Sequence, residues 1–208
     1  MIGEKNFYKL SDAAIKLLDG RLAKRAQKAR QRMIIADFDE LNVIQTINAL
    51  YKDLFADNEE IYAELMRLVW AKAGGKGTPP SKEWLRRRVL KAYDPVTLYV
   101  YLYEEERKRD RTIEAINSSV GGRAKKKAFS TALRYWHDMT VEYSDQVTFE
   151  TVVDAFQSQG VEFVVWRTQE DERVCETCAP RDGQIYDIAN VPRRPHWNCR
   201  CTIEPYYG

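Results

Sequence analysis

The sequence predicts an α+β protein: a mainly α-helical N-terminal body followed by a small β-rich, Cys/His-clustered C-terminal module. Apolar residues recur at helical spacing through the first two-thirds of the chain. The period changes to that of a strand at Val161–Trp166, and all four cysteines fall between Cys175 and Cys201. The organisation that follows is a helical body over residues 1–145 and a compact module over 146–208. With 208 residues, 44% of them apolar and 31% charged, the chain has the composition of a globular protein and the length to bury a core. No run of about 18 apolar residues exists, which argues against a membrane-spanning helix. Residues 1–9 lack the apolar stretch of a signal peptide, so classical secretion is not expected.

Phe7, Leu10, Ala14, Leu17 and Leu18 mark a first helix, with Lys9, Lys16 and Arg21 largely on other faces. Leu41, Ile44, Ile47, Tyr51, Leu54 and Phe55 form a second stripe. Ile61, Leu65, Leu68 and Val69 form a third, for which Asp57 or Asn58 is the expected cap. The run Gly74-Gly75-Lys76-Gly77-Thr78-Pro79-Pro80 is a loop; it lacks the spacing of a phosphate-binding loop, and no apolar strand precedes it. Ser81 caps a helix bearing Arg86, Arg87 and Arg88, which step by about 100° each and spread over a broad face. Asp94-Pro95 marks the next boundary. An aromatic stripe of Leu98, Tyr99, Leu102 and Tyr103 follows, read as core or interface, and Glu104–Glu106 stand at i,i+4 distance from Lys108–Asp110.

Ser118–Gly122 is a second break. Phe129, Leu133, Trp136, Thr140 and Tyr143 then mark a helix, with His137 beside the stripe as a packing or surface residue. A short last helix is expected from an N-cap at Thr148, through Phe149, Val152, Val153 and Phe156, to a C-cap at Gly160. Val161–Trp166 is β-branched and aromatic, hence a strand, and Asp182-Gly183 ahead of Gln184-Ile185-Tyr186 signals a hairpin.

Charge alternates in blocks. Residues 1–34 carry nine basic and three acidic side chains, residues 35–66 one and eight, and residues 67–80 three and none. Residues 81–134 carry fourteen and seven, and residues 135–208 six and thirteen. The basic blocks suit nucleic-acid phosphates, and the alternation also suits pairing between blocks or with a partner subunit.

The chemistry is concentrated in Cys175-Glu176-Thr177-Cys178, then seventeen residues, then His196-Trp197-Asn198-Cys199-Arg200-Cys201. A C-x-x-C turn places two sulfurs where one ion takes both, and a second pair about twenty residues on fits a structural zinc site. Cys199 and Cys201 share one face if extended. The ligands are either the four cysteines or Cys175, Cys178, His196 and one of Cys199 and Cys201. Either set closes a tetrahedron, leaves no place for a catalytic water and folds a module too small for its own core. Disulfides between the pairs are the alternative in an oxidising setting. Thioredoxin-like chemistry lacks its βαβ context. On this reading, replacing Cys175 or Cys178 unfolds the module and leaves the helices intact.

The ordered features Gly160-Val161, Trp166-x-Thr168-x-x-Asp171-x-Arg173-Val174-Cys175-x-x-Cys178, Asp182-Gly183-x-x-Tyr186, Pro195-His196-x-Asn198-Cys199-Arg200-Cys201 and Pro205 resemble the phage head-morphogenesis family, the Mu F-like minor head proteins. The resemblance covers roughly residues 150–206; no motif is matched in the helical body. It implies a minor structural protein of a tailed-phage head, acting in head assembly and DNA packaging or delivery. Its expected partners are the portal protein or the major capsid protein, with non-specific contact to packaged DNA and no membrane. Its expected place is the virion, at the head interior or portal vertex, after synthesis in the bacterial cytoplasm. The family's cysteine and histidine motif falls on Cys175, Cys178, His196, Cys199 and Cys201. With seven residues after Cys201, no fused toxin domain is expected.

Two other functions fit the residues less well. A zinc-stabilised nuclease would draw on His196 and Asn198, but His137 is the one other histidine, which leaves little from which to build a general base and a catalytic metal. A DNA-reading module would need a basic recognition helix, and the Cys/His segment is net acidic. The reading is therefore non-enzymatic, with zinc as a structural cofactor.

Overall fold

The computed structural model describes residues 7–85, 108–168, 174–196, 199 and 201–208. Arg86–Arg88, Asp94-Pro95, the Leu98–Tyr103 stripe and Glu104–Glu106 lie outside the described residues, as do Asp171, Arg173, Asn198 and Arg200 of the motif. The architecture is a helical body carrying a small antiparallel sheet at its C-terminal end. Its long helices are α1 (Tyr8–Ile35), α2 (Glu40–Ala73) and α3 (Gly122–Ser158). Residues 82–85 and 108–117 are also helical. Among the described residues no helix is long and apolar enough to cross a membrane.

The α1–α2 connection is short and left-handed: Asp37 and Phe38 both hold positive φ, at 47° and 54°. The Phe38 N–H reaches back to the Met33 carbonyl at 2.7 Å, Phe38 is buried, and Asp39 then caps α2 by accepting from the Asn42 N–H at 3.0 Å. α2 ends as its glycines dictate. Gly74 takes φ +80°, and a Cβ on Gly75 would stand 2.2 Å from the Trp70 ring, so the helix stops where only glycine fits.

α2 is one helix, which corrects the expectation of a cap at Asp57 or Asn58. Both residues are buried within it. The capping tendency of Asp57 is overridden by tertiary partners, since it accepts hydrogen bonds from Arg21 and Arg25 of α1. The short last helix is corrected in the same way. α3 runs unbroken through Thr148, whose hydroxyl donates to the Ser144 carbonyl at 2.9 Å. Ser144 and Thr151 also donate to carbonyls four residues back, which satisfies polar side chains inside a buried helix. The breaks at Gly74 and Gly121, the Ser81 cap (Trp84 N–H to Ser81 Oγ, 3.1 Å) and the turn at Gly160 stand as expected. Leu17, Leu41 and Leu68, assigned to stripes, are exposed at the stripe margins.

Cross-helix hydrogen bonds fix the register. Ser11 meets Asp145, Asp19 meets His137 and Arg30 meets Ser130, so α1 and α3 run antiparallel. Two cores result. One, at the far end of the bundle, gathers Met33, Phe38, Val43, Ile47, Leu54, Ile116, Phe129 and Trp136. The other joins Leu18, Leu65, Val69, Val153 and Phe156 to Val164, Trp166, Cys178, Cys199, Cys201 and Ile203 of the C-terminal module.

The sheet has strand order β2-β1-β3, from β1 (Phe163–Arg167), β2 (Ile185–Asp187) and β3 (Thr202–Tyr206), all antiparallel. Alternation sends Val164 and Trp166 inward, fully buried, and leaves Phe163 exposed. The hairpin at Asp182-Gly183 is present, with Gly183 at φ +73° and Thr168 donating to Asp182 from both its N–H and its hydroxyl.

Candidate metal centre

The first cysteine pair sits on a tight turn. The N–H groups of Cys178 and Ala179 both donate to the Cys175 carbonyl, at 3.0 and 2.9 Å, and a short 3₁₀ helix, Ala179–Arg181, follows. The second pair immediately precedes β3. His196 arrives after Pro192 and Pro195. The chain thus brings all five sequence-predicted side chains together.

Two groups overlap: Cys175, Cys178 and His196, and Cys178, Cys199 and Cys201, each with ligand atoms within 4.8 Å of one another. His196 Nε2 lies 3.0 Å from Cys175 Sγ and 3.2 Å from Cys178 Sγ, and Cys178 Sγ lies 3.7 Å from Cys199 Sγ. A tetrahedral zinc with sulfurs at about 2.3 Å has an S···S edge of about 3.7 Å, so the Cys178–Cys199 pair fits that group. All four cysteines are free thiols; Cys178, Cys199 and Cys201 are buried, Cys175 is half-buried and His196 is exposed.

Each pair holds its protons unequally. Burial pushes the Cys178 thiol up to about 12, reinforced by the Cys175 thiol. Burial also acts to raise Cys175, but hydrogen bonds from the Cys178 thiol and from the N–H groups of Cys178 and Thr177 prevail and bring it to about 7. Cys199 falls to about 5 because Cys201 donates to it from both thiol and N–H, against burial, with Arg194 adding its charge. Cys201 is raised by that donation and by burial. Among the described residues the fully buried Trp166 meets no acceptor at Nε1 within hydrogen-bond geometry, yet lies close enough to Cys201 to favour its thiolate. An orphan N–H beside a thiol suits a site whose sulfurs carry negative charge on an ion.

Around the cluster lies a polar network that the sequence did not announce. Arg194, buried, donates twice to the Cys199 carbonyl, at 3.1 and 2.7 Å. Its guanidinium stands 3.3 Å from Asp145 and 3.7 Å from Glu142, both on α3. Ser11 of α1 donates to Asp145 at 2.6 Å, and the Tyr8 hydroxyl donates to the Cys201 carbonyl. Burial raises the Tyr8 hydroxyl, which keeps it a donor. The signal that was available is the acids of α3: Glu142 and Asp145 fall three apart where the helix is otherwise buried. His137, by contrast, pairs with Asp19 at 2.6 Å and takes no part in the cluster.

Helical bundle and Cys/His-tied sheet thus form one class of protein, a body with a cysteine-clustered clip on a shared core. Residues 111–204, from the 108–117 helical segment through α3 to β3, match the family described as phage Mu protein F like protein, and this region of the chain is a Mu F-like one. The match agrees with the ordered motif of the C-terminal module, extends it back along α3, and points to a phage head-morphogenesis protein. No curated protein and no solved structure matches the chain.

Proposed function

We propose that the chain is a minor structural protein of a tailed-phage head, associated with the portal or the inner capsid, acting without enzymatic activity in head assembly and DNA packaging or delivery. The observation that carries this reading is the Mu F-like match over residues 111–204, which contains the whole Cys/His cluster. The cluster's role is structural: four of Cys175, Cys178, His196, Cys199 and Cys201 supply the ligands of one zinc, with Cys178 common to both groups. When bound, zinc would tie the C-x-x-C turn to the start of β3. His196 is held against two thiols, which supports a ligand's role over that of a nuclease's general base.

Residues 1–145 act as the docking body and 146–208 as the clip, with α3 common to both. The body offers a face to DNA. Between residues 20 and 36 of α1 and between 122 and 137 of α3 there are basic residues and no acidic ones. Lys24, Lys28, Arg30 and Arg32, with Arg123, Lys126, Lys127 and Arg134, are exposed. Phosphates need nothing more specific.

The test measures bound metal and reactive thiols on purified, non-reduced protein, beside co-purification with the portal protein of the same phage. One zinc per chain, thiols that react only after denaturation, and a portal complex are expected. Four oxidised cysteines without metal would replace the zinc clip by a disulfide one. Particles assembled and filled normally without this chain would overturn the head-assembly role.

A further inference from the structure

The second half of the cluster does not stand on its own backbone. The carbonyls of Cys199 and Cys201 are taken by two side chains, one from the module itself and one from α1. Arg194 donates to the Cys199 carbonyl from Nε and from a terminal guanidinium nitrogen, and Tyr8 donates to the Cys201 carbonyl. Arg194 is in turn fixed by Asp145 of α3, which accepts from Ser11 near the start of α1. The Arg194 side chain is 1% exposed and that of Asp145 11%, so this pair meets little water. α1 and α3 therefore meet the segment that carries Cys199 and Cys201 through one charge-assisted chain.

Resting on the zinc reading above, we infer that Arg194, Asp145 and Tyr8 are positioning residues of the metal centre, and that metal binding and docking of the N-terminal turns of α1 are one coupled equilibrium. Partners that orient a ligand's backbone set how little the site must reorganise to take an ion, and outer-shell losses of this kind cost about 10- to 100-fold in metal affinity. Linkage makes the effect reciprocal: whatever raises the affinity for the ion through the docked state must be stabilised in that state by the ion. The clip is thus a latch on the start of α1. Partial release of that end, by a partner that pulls α1 away, would loosen the metal, and metal loss would free the end of α1.

The experiment uses the full chain and three variants: Tyr8→Phe, which removes one hydroxyl; Asp145→Asn, which keeps shape; and Arg194→Lys, which keeps charge. Zinc affinity is read by competition with a chromophoric chelator. The site is read by the thiolate-to-metal charge-transfer band of the cobalt-substituted protein, and docking by amide hydrogen exchange over residues 8–18. Affinity should fall about tenfold for Tyr8→Phe and further for Asp145→Asn and Arg194→Lys, with the cobalt band altered. In the wild type, zinc should slow exchange over residues 8–18, and in the variants much less. Variants that melt earlier but bind zinc and cobalt as the wild type does would reduce the network to packing and overturn the inference, leaving the zinc site intact. A wild type that binds neither ion would overturn both.

Discussion

Arg194 is where sequence and stability meet most sharply. Its charge is buried and answered by Asp145 and Glu142, while its donors satisfy the Cys199 carbonyl. Removing one member of such a buried pair leaves the others uncompensated, at a cost of about 3–5 kcal/mol. Arg194→Met should therefore destabilise the chain far more than the same change at Arg193, which is not buried, as urea unfolding midpoints would show. Equal midpoints would mean that the acids find other partners. Trp166 is a second such residue. It is fully buried, 5.9 Å from Phe149 and 6.3 Å from Tyr186 between ring centres, with the Arg181 guanidinium over its face at 5.3 Å. Neither residue is one of the five candidate ligands, but Arg194 holds the Cys199 carbonyl and Trp166 sits opposite Ile203 of β3.

At the level of elements, α1 and α2 are clasped by ions and by glycine geometry. Asp57, buried in α2, accepts from Arg21 and Arg25 of α1. Burial acts to raise its carboxyl, but those hydrogen bonds prevail and hold it below the usual value. A carboxyl depressed in the folded state gives stability that is full above its unfolded value and lost as pH falls through the folded one. Asp57→Asn should therefore cost about 1–2 kcal/mol at pH 7, the lower end for charged hydrogen bonds because both arginines are about one-third exposed. The cost should shrink as pH falls below the usual carboxylate range and through the depressed folded value, where the wild type itself loses the charge; melting temperatures followed down the acid range would check it. At the end of α2, Gly75→Ala should cost about 1–3 kcal/mol, because the new methyl would stand 2.2 Å from the Trp70 ring. Calorimetry of the variant would show a lowered transition.

Over the whole molecule, the Cys/His module and the bundle share one core. Cys178, Cys199 and Cys201 pack in the same cluster as Leu18 of α1, Val69 of α2 and Val153 of α3. Beside the expectation that replacing Cys175 or Cys178 unfolds the module alone, the shared core sets a second one. Stripping zinc from the loaded protein should lower a single transition that includes the helices, by about 10 °C if the ion stands near a thousandfold above its Kd. Two separate transitions, with helical ellipticity untouched in the first, would show the clip to be independent. The basic face of α1 and α3 makes a second prediction at this scale. Lys126→Glu with Lys127→Glu should weaken binding to duplex DNA of any sequence and shrink the salt slope by about 1 for each phosphate left unneutralised, read in a titration across salt concentrations.

Most of the chain's chemistry was legible in one dimension because it is local. The C-x-x-C turn, the spacing to His196, Cys199 and Cys201, the period change at Val161 and the glycine stops at Gly74 and Gly160 depend on near neighbours, and the structure brings the five side chains together as their spacing implied. What the tertiary structure decided is long-range. Asp57, Asn58 and Thr148 looked like caps because isolated helices favour such residues at their ends. Asp57 lies mid-helix because Arg21 and Arg25, thirty-odd residues away, satisfy its carboxylate, and Thr148 because an i−4 carbonyl takes its hydroxyl, while Asn58 is carried along in the same packed turn. Tyr8 and Arg194 carry no motif; they matter because folding brings a hydroxyl onto an acceptor 193 residues away and a guanidinium between the acids of α3 and the Cys199 carbonyl. The sequence alone determined which atoms could hold an ion, since that follows from residue type and spacing. Only the fold decided what holds those atoms still, since desolvated charge pairs exist nowhere until the chain has closed around them.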